Sequence, residues 1–179
     1  MSFWHTIRAF KDVGLYLLYS GGSNGWAGIM KRILVRQDLC SGCRACEVAC
    51  VAWHEGRFGT AMARIRVTKN EPLGMDQPHV CRLCRRAPCV AACPTGALYK
   101  DETTGAVLLR PEDCTACAAC VDACPFGMAA LHPETMSVLI CDLCAGDPAC
   151  VKRCATGAIV YGEARGSRRT SRTVQGVDS

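Results

Sequence analysis

Apolar positions near the start of the chain recur at roughly helical spacing. Phe3, Ile7, Phe10, Leu17 and Leu18 form the stripe, with Trp4 and Val13 beside it. This pattern predicts a short amphipathic helix, closed by the flexible run Gly21-Gly22-Ser23-Asn24-Gly25. Beyond this arm, residues 1–31, the helical period gives way to short β-rich runs. They fall at Ile33–Val35, Ile65–Thr68, Val107–Leu109, Val138–Ile140 and Ala158–Val160. Between them, Ala45–Trp53 and Ala119–Cys124 predict short helices. Residues 162–179, GEARGSRRTSRTVQGVDS, are polar and basic and are expected to be a mobile tail. The pattern therefore predicts an α+β domain over residues 32–161 between an apolar arm and a basic tail.

Composition sharpens this picture at one residue type. Cysteine takes 16 of 179 positions, all within the central segment. Such density means disulfides, zinc sites or iron–sulfur clusters. Disulfides need an oxidising compartment, and the N-terminus is a poor export signal. Its apolar run is broken by Gly14, no A-x-A site follows, and no twin arginine precedes it. No stretch is long and apolar enough to span a bilayer. A cytoplasmic chain whose reduced cysteines bind metal is expected.

The cysteines are ordered as a repeat. A tight motif, Cys40-x2-Cys43-x2-Cys46-x3-Cys50, is followed by a looser one, Cys81-x2-Cys84-x4-Cys89-x3-Cys93. The order recurs, tight at Cys114, Cys117, Cys120 and Cys124, looser at Cys141, Cys144, Cys150 and Cys154. The exits echo as well: Pro94-Thr95-Gly96-Ala97-Leu98 against Ala155-Thr156-Gly157-Ala158-Ile159. The segment reads as a duplicated two-motif unit. Short helices are expected to carry the last cysteine of each quartet.

Three cysteines at i, i+3 and i+6 let one loop wrap a single cubane. In two-cluster ferredoxins the fourth, beyond a turn into helix, ligates the other cluster. Zinc is more often held by two separated C-x2-C pairs. The triple spacing occurs twice here, and Cys93 and Cys124 are each followed by proline. Four [4Fe–4S] clusters are therefore expected, with a structural zinc-binding module as the alternative. No cysteine is left over for catalysis. Each cluster with four thiolates adds roughly −2, so the formal charge of +5 falls to about −3. The basic residues then read as counter-charge, and no basic–aromatic interleaving suggests nucleic acid.

With these motifs in place, the span from about Arg32 to Gly162 resembles the four-cluster, ferredoxin-like electron-transfer subunits. These serve molybdenum and tungsten pterin oxidoreductases, hydrogenases and carbon monoxide dehydrogenases. The short run Cys144-Ala145-Gly146-Asp147-Pro148-Ala149-Cys150 is similar to the small iron–sulfur subunit of bacterial tungsten aldehyde oxidoreductases. It is also similar to the related subunit of tungsten-dependent benzoyl-coenzyme A reductase complexes. The resemblance implies two pseudo-symmetric bacterial-ferredoxin-like two-cluster modules. It implies single-electron relay between a large tungsten-pterin catalytic subunit and a flavin-containing NAD-linked subunit or a ferredoxin. The chain itself would not be catalytic.

The resemblance also implies ligand exchange between motifs. Cluster 1 takes Cys40, Cys43, Cys46 and Cys154; cluster 2 takes Cys81, Cys84, Cys89 and Cys124. Cluster 3 takes Cys114, Cys117, Cys120 and Cys93; cluster 4 takes Cys141, Cys144, Cys150 and Cys50. Spacing alone also admits pairing of motif one with two and of three with four.

Arg82, Arg85 and Arg86 lie in motif two, whereas Asp113 and Asp122 flank or sit in motif three. Cations favour a reduced cluster, so the Cys81 cluster is expected to have a higher potential than the Cys114 cluster. His54 and His79 are expected to pack or to donate to sulfur, because every quartet is full. Trp53 is expected to pack near a cluster. The arm is expected to dock on a partner subunit or on a second copy of this chain.

Overall fold

The computed structural model describes residues 31–163. Residues 1–30 of the expected arm (1–31) and residues 164–179 of the expected tail (162–179) lie outside them, whereas Lys31, Gly162 and Glu163 fall in strands. Strand β1 (Lys31–Val35) pairs antiparallel with β8 (Ile159–Glu163), joining the two ends of the described span. Ile33 faces Tyr161 and Val35 faces Ile159 across this ladder. Three further antiparallel hairpins follow in order. They pair β2 (Arg66–Asn70) with β3 (Met75–His79), β4 (Leu98–Lys100) with β5 (Val107–Leu109), and β6 (Ala130–Leu131) with β7 (Val138–Leu139). Each of the five expected runs falls on a strand; β3, β4 and β6 add three more.

Helix α1 (Ala45–Glu55) opens behind Arg44 in a left-handed conformation and stops at Gly56, φ 65°. The Gly56 N–H returns to the Ala52 carbonyl at 3.2 Å, a left-handed cap that glycine takes without a Cβ clash. Cys46, Glu47, Cys50 and Val51 are buried, one stripe at the i, i+4 spacing of a packed helix face. The other helices are single turns: α2 (Pro88–Ala91), α3 (Ala119–Asp122) and α4 (Ala149–Lys152).

Two apolar cores form. The first gathers Ile33, Val51, Ile65, Leu139, Leu143 and Ile159, where α1 packs on α4. The second gathers Leu98, Val107, Ala129, Val138 and Ile140, where α2 packs on α3. Burying each large aliphatic side chain contributes about 1.5–3 kcal/mol. The first core thus draws on both ends of the described chain, and the second on its middle. Polar contacts tie the two together: His132 Nε2 to Glu55 at 3.4 Å, Arg57 to Glu134 at 2.8 Å, and Arg66 to the Gly127 carbonyl at 2.9 Å.

Two local expectations need correction. The short helices carry the third cysteine of each quartet as their second residue: Cys46, Cys89, Cys120 and Cys150. Only Cys50 is a fourth cysteine inside a helix; Cys93, Cys124 and Cys154 follow helix ends at Ala92, Ala123 and Arg153. A single turn is too short to include a residue four positions on. Trp53 is 56 % exposed rather than packed, because it lies on the face of α1 away from the core. Among the described residues, no helix is long and apolar enough to cross a membrane.

Candidate metal centres

Each motif loop bends by placing residues between its cysteines in the left-handed region. Gly42 and Arg44 do so in motif one, Leu83 in motif two, and Ala116 and Ala118 in motif three. In motif four Leu143, Cys144 and Ala145 all do so. A non-glycine residue there costs roughly 1–2 kcal/mol, and such turns point successive N–H groups into one concavity. At Gly42 two costs combine: φ is +63°, and an added Cβ would strike the Asp76 carboxylate, which would have to swing aside.

These loops line four cavities, each with four cysteines. One is lined by Cys40, Cys43, Cys46 and Cys154. A second is lined by Cys81, Cys84, Cys89 and Cys124, and a third by Cys114, Cys117, Cys120 and Cys93. The fourth is lined by Cys141, Cys144, Cys150 and Cys50. Each foursome takes three cysteines from one motif and its last from another. The remaining walls are mostly apolar, with Leu98, Leu109 and Val138 in the third and Ile33, Ile65 and Val80 in the fourth. All sixteen thiols are free of disulfides.

The foursomes lie in a row that does not follow chain order. Cys46 and Cys150 share the first core, next to Cys50. Val80 lines the Cys141 cavity, and Ile140 lines the Cys81 cavity. Burial, and then the neighbouring Cys81, Cys150 and Cys50, push the Cys141 thiol well above its ordinary value. Cys89 and Cys120 share the second core, against Cys93 and Cys124. The row therefore runs from the Cys40 foursome through those of Cys141 and Cys81 to that of Cys114. Cys43 and Cys117, one at each end, are the exposed members of the sixteen.

Electrostatics at the cavities fit a cationic cargo. Burial, then the Glu47 carboxylate, push the Cys46 thiol up to about 11. Burial, then Cys50, Cys144 and Cys46, push Cys150 up to about 12. Soft, crowded, half-buried thiols resist ionisation unless a positive core sits among them, which suits iron–sulfur and other thiophilic metals. Cys93 and Cys154 differ. Burial raises them, but N–H groups of Leu98 and Ile159 and the hydroxyls of Thr95 and Thr156 outweigh it, and both lie below the ordinary thiol value.

Several neighbours carried no sequence signal. The Arg64 N–H meets Cys50 Sγ at 3.3 Å, and the Met128 N–H meets Cys124 Sγ at 3.3 Å. Lys100 Nζ reaches the Cys84 carbonyl at 3.0 Å, bringing a cation to the Cys81 foursome. Arg82, which the sequence did single out beside this cluster, lines that cavity, and its stacking over Phe126 at 5.1 Å is what the sequence did not show. Such contacts depend on which loops meet, and spacing does not encode that. His54, expected to pack or to donate to sulfur, lies with Nε2 3.8 Å from Cys144 Sγ and 3.4 Å from Asp142. His79 pairs with Arg66 in the β2–β3 ladder.

Comparison with known proteins agrees with the thiol chemistry. Residues 75–164 match the 4Fe-4S dicluster domain, and residues 37–53 match a 4Fe-4S binding domain. The chain is 50 % identical over 122 residues to the aliphatic sulfonate oxidoreductase polyferredoxin-like subunit of Pyrococcus furiosus, covering 68 % of this chain and 70 % of that protein. It is 35 % identical over 150 residues to protein NrfC of Escherichia coli strain K12, covering 75 % of this chain and 66 % of that one. A solved active-site complex BamBC of benzoyl coenzyme A reductase with benzoyl-CoA aligns at 28 % identity and TM-score 0.46, covering 75 % of this chain and 80 % of that chain. The chain binds multiple [4Fe–4S] clusters, and it belongs to the 4Fe-4S ferredoxin-like electron-transfer subunit family.

Proposed function

We propose that the chain is the electron-transfer subunit of an oxidoreductase complex, relaying single electrons through four [4Fe–4S] clusters. The observation that carries this reading is the row of four cysteine foursomes with an exposed cysteine at each end. Each foursome would hold one cluster, with ligands exchanged between motifs one and four and between two and three. The two cores would then be pseudo-symmetric two-cluster modules. When bound, a cluster supplies a one-electron couple whose potential is set by nearby charge, hydrogen bonds to sulfur and solvent access.

The residues of this chain would do the rest. The cysteines fix the clusters, and the apolar walls keep water from the inner pair. Val80 walls the Cys141 cavity and Ile140 the Cys81 cavity. Electrons would enter beside Cys43 or Cys117 and leave at the other end. No described side chain is assigned a bond-breaking role, so catalysis is placed on a partner.

For that partner we propose the large catalytic subunit of a cytoplasmic tungsten-pterin aldehyde oxidoreductase, supported by the short run from Cys144 to Cys150. Its acceptor would be a flavin-containing NAD-linked subunit or a ferredoxin. A second reading, a sulfonate-oxidising catalytic subunit, is favoured by the 50 % identity to the Pyrococcus furiosus protein. Anaerobic purification of the native complex separates them. Tungsten in a large co-purifying subunit, with clusters reduced by aldehyde and not by sulfonate, supports the first. Reduction by sulfonate alone supports the second. A chain that purifies without any larger subunit sinks both.

A further inference from the structure

Four cysteines close the foursomes from another motif: Cys50, Cys93, Cys124 and Cys154. Their sulfur partners fall into two kinds. Cys93 Sγ lies 3.6 Å from Thr95 Oγ1, and Cys154 Sγ lies 3.7 Å from Thr156 Oγ1. Two residues after Cys50 stands Ala52, and two after Cys124 stands Phe126; neither carries a hydroxyl. Those two sulfurs receive N–H groups alone, Arg64 and Met128 among them, whereas Cys93 and Cys154 take N–H groups, of Leu98 and Ile159 first, and a hydroxyl as well.

The division follows the row. Cys93 and Cys154 belong to its two ends, and Cys50 and Cys124 to its interior. It also arises twice, in segments far apart in sequence. In each, a left-handed glycine, Gly96 at φ 69° or Gly157 at φ 67°, follows the threonine and returns the chain to the cavity.

A ligating thiolate carries no proton, so within each pair the threonine is the donor. A hydrogen bond to sulfur strengthens as the sulfur gains negative charge. It therefore stabilises the reduced cluster more than the oxidised one, and outer hydrogen bonds of this kind tune metal sites. The bonds are solvent-exposed, so the effect is modest.

We propose that Thr95 and Thr156 are positioning residues that raise the potentials of the two outer clusters through hydroxyl-to-sulfur hydrogen bonds. This rests on the four-cluster reading above. Its consequence is that each end cluster, where electrons exchange with partners, holds an electron more readily than it would without its threonine.

The test uses the full chain, purified anaerobically, as Thr95→Val, Thr156→Val and the double variant. Thr95→Ser and Thr156→Ser keep the hydroxyl. Iron and sulfide are counted first on the unmodified chain; fewer than about sixteen irons refutes the four-cluster reading itself, before any variant is compared. Redox titration by electron paramagnetic resonance then reads the potentials. Deuterium coupling after exchange into heavy water reads the hydroxyl proton directly. Each valine change should lower one potential, shifting the reduced-to-oxidised ratio roughly threefold, or ~28 mV where tenfold is 59 mV. It should also remove one exchangeable coupling, while the serine variants keep both. Should a valine variant lose iron, the alanine variant is read in its place. Four unchanged potentials at full iron content overturn the proposal, as does a serine variant that behaves like valine.

Discussion

Replacing Cys93 tests the ligand exchange most directly. In sequence it ends motif two, yet it lines the cavity of Cys114, Cys117 and Cys120. It lies just beyond α2, past Ala92, where its N–H still bonds the Val90 carbonyl at 3.1 Å. The helix turn carries it away from its own loop and into the second core beside Cys120. A cubane that loses one thiolate sheds the iron it held or falls apart. Cys93→Ala should then cost between about one and four irons of roughly sixteen. Cys117→Ala should do the same to the same cluster. The double variant therefore loses no more than about four, whereas ligation within the motif would double the loss to as much as about eight. Cys93→Ala with Cys84→Ala is the reverse control: those two line different cavities, so their losses should add. Iron and acid-labile sulfide per chain give the count, and a three-iron resonance marks partial loss. Additive losses for the Cys93/Cys117 pair, with non-additive losses for Cys93/Cys84, would refute the exchange.

Other expectations follow from single contacts. Removing Arg82, Arg85 and Arg86 to alanine, or Lys100 to methionine, should lower the potential of the Cys81 cluster while sparing the Cys40 cluster, as read by a spectroscopic redox titration. Lys100 should act more strongly than Arg85 or Arg86, because those two are exposed and screened. Gly42→Ala sets a Cβ against Asp76 at φ +63°, so the Cys40 cluster should be lost first, leaving about twelve irons of sixteen. Glu47 is 2 % exposed and accepts the Val67 N–H at 2.7 Å. Its alanine variant strands that donor at a cost of about 1–3 kcal/mol, lowering the urea midpoint at which cluster absorbance disappears. Glu47→Gln keeps an acceptor and should lose much less.

The sequence carries strong signals for the ligands and weak ones for what surrounds them. All five apolar runs became strands because each offers β-branched or aliphatic residues to a core, as Val107 and Ile159 do. Strand β3 escaped because MDQPH has no apolar alternation and contains Pro78. It exists because β2 lies beside it across a tight turn at Gly74, φ 60°. Helices α1 and α3 were placed by residue from the sequence; those of motifs two and four were expected without bounds, since both open at or just after proline. Glu47 shows the limit most clearly. A glutamate between two cysteines reads as solvated, yet the fold buries it to bind a strand twenty residues downstream. Nothing local announces a partner that only tertiary packing supplies.

The repeat in the chain and the pairing in space run along different axes, and helix geometry explains why. By similarity, motif one matches motif three and motif two matches motif four. In space, the foursomes join one with four and two with three. A cysteine four residues beyond the loop's last ligand faces away from its own cavity, so it needs a second motif whose helix packs alongside. Motifs two and three are consecutive, and α2 meets α3 after the short β4–β5 hairpin between them. Their exchange closes locally. Motifs one and four are then the remaining pair, and no short connection joins them. The β1–β8 ladder does this instead, setting Lys31 against Glu163 and bringing α1 onto α4. Closure of such a long loop costs entropy before it gains contacts, so the foursomes of motifs two and three have the lower barrier to forming. Those of motifs one and four wait for both ends of the domain. The ladder, which contains no ligand itself, is thus what makes a row of four out of two.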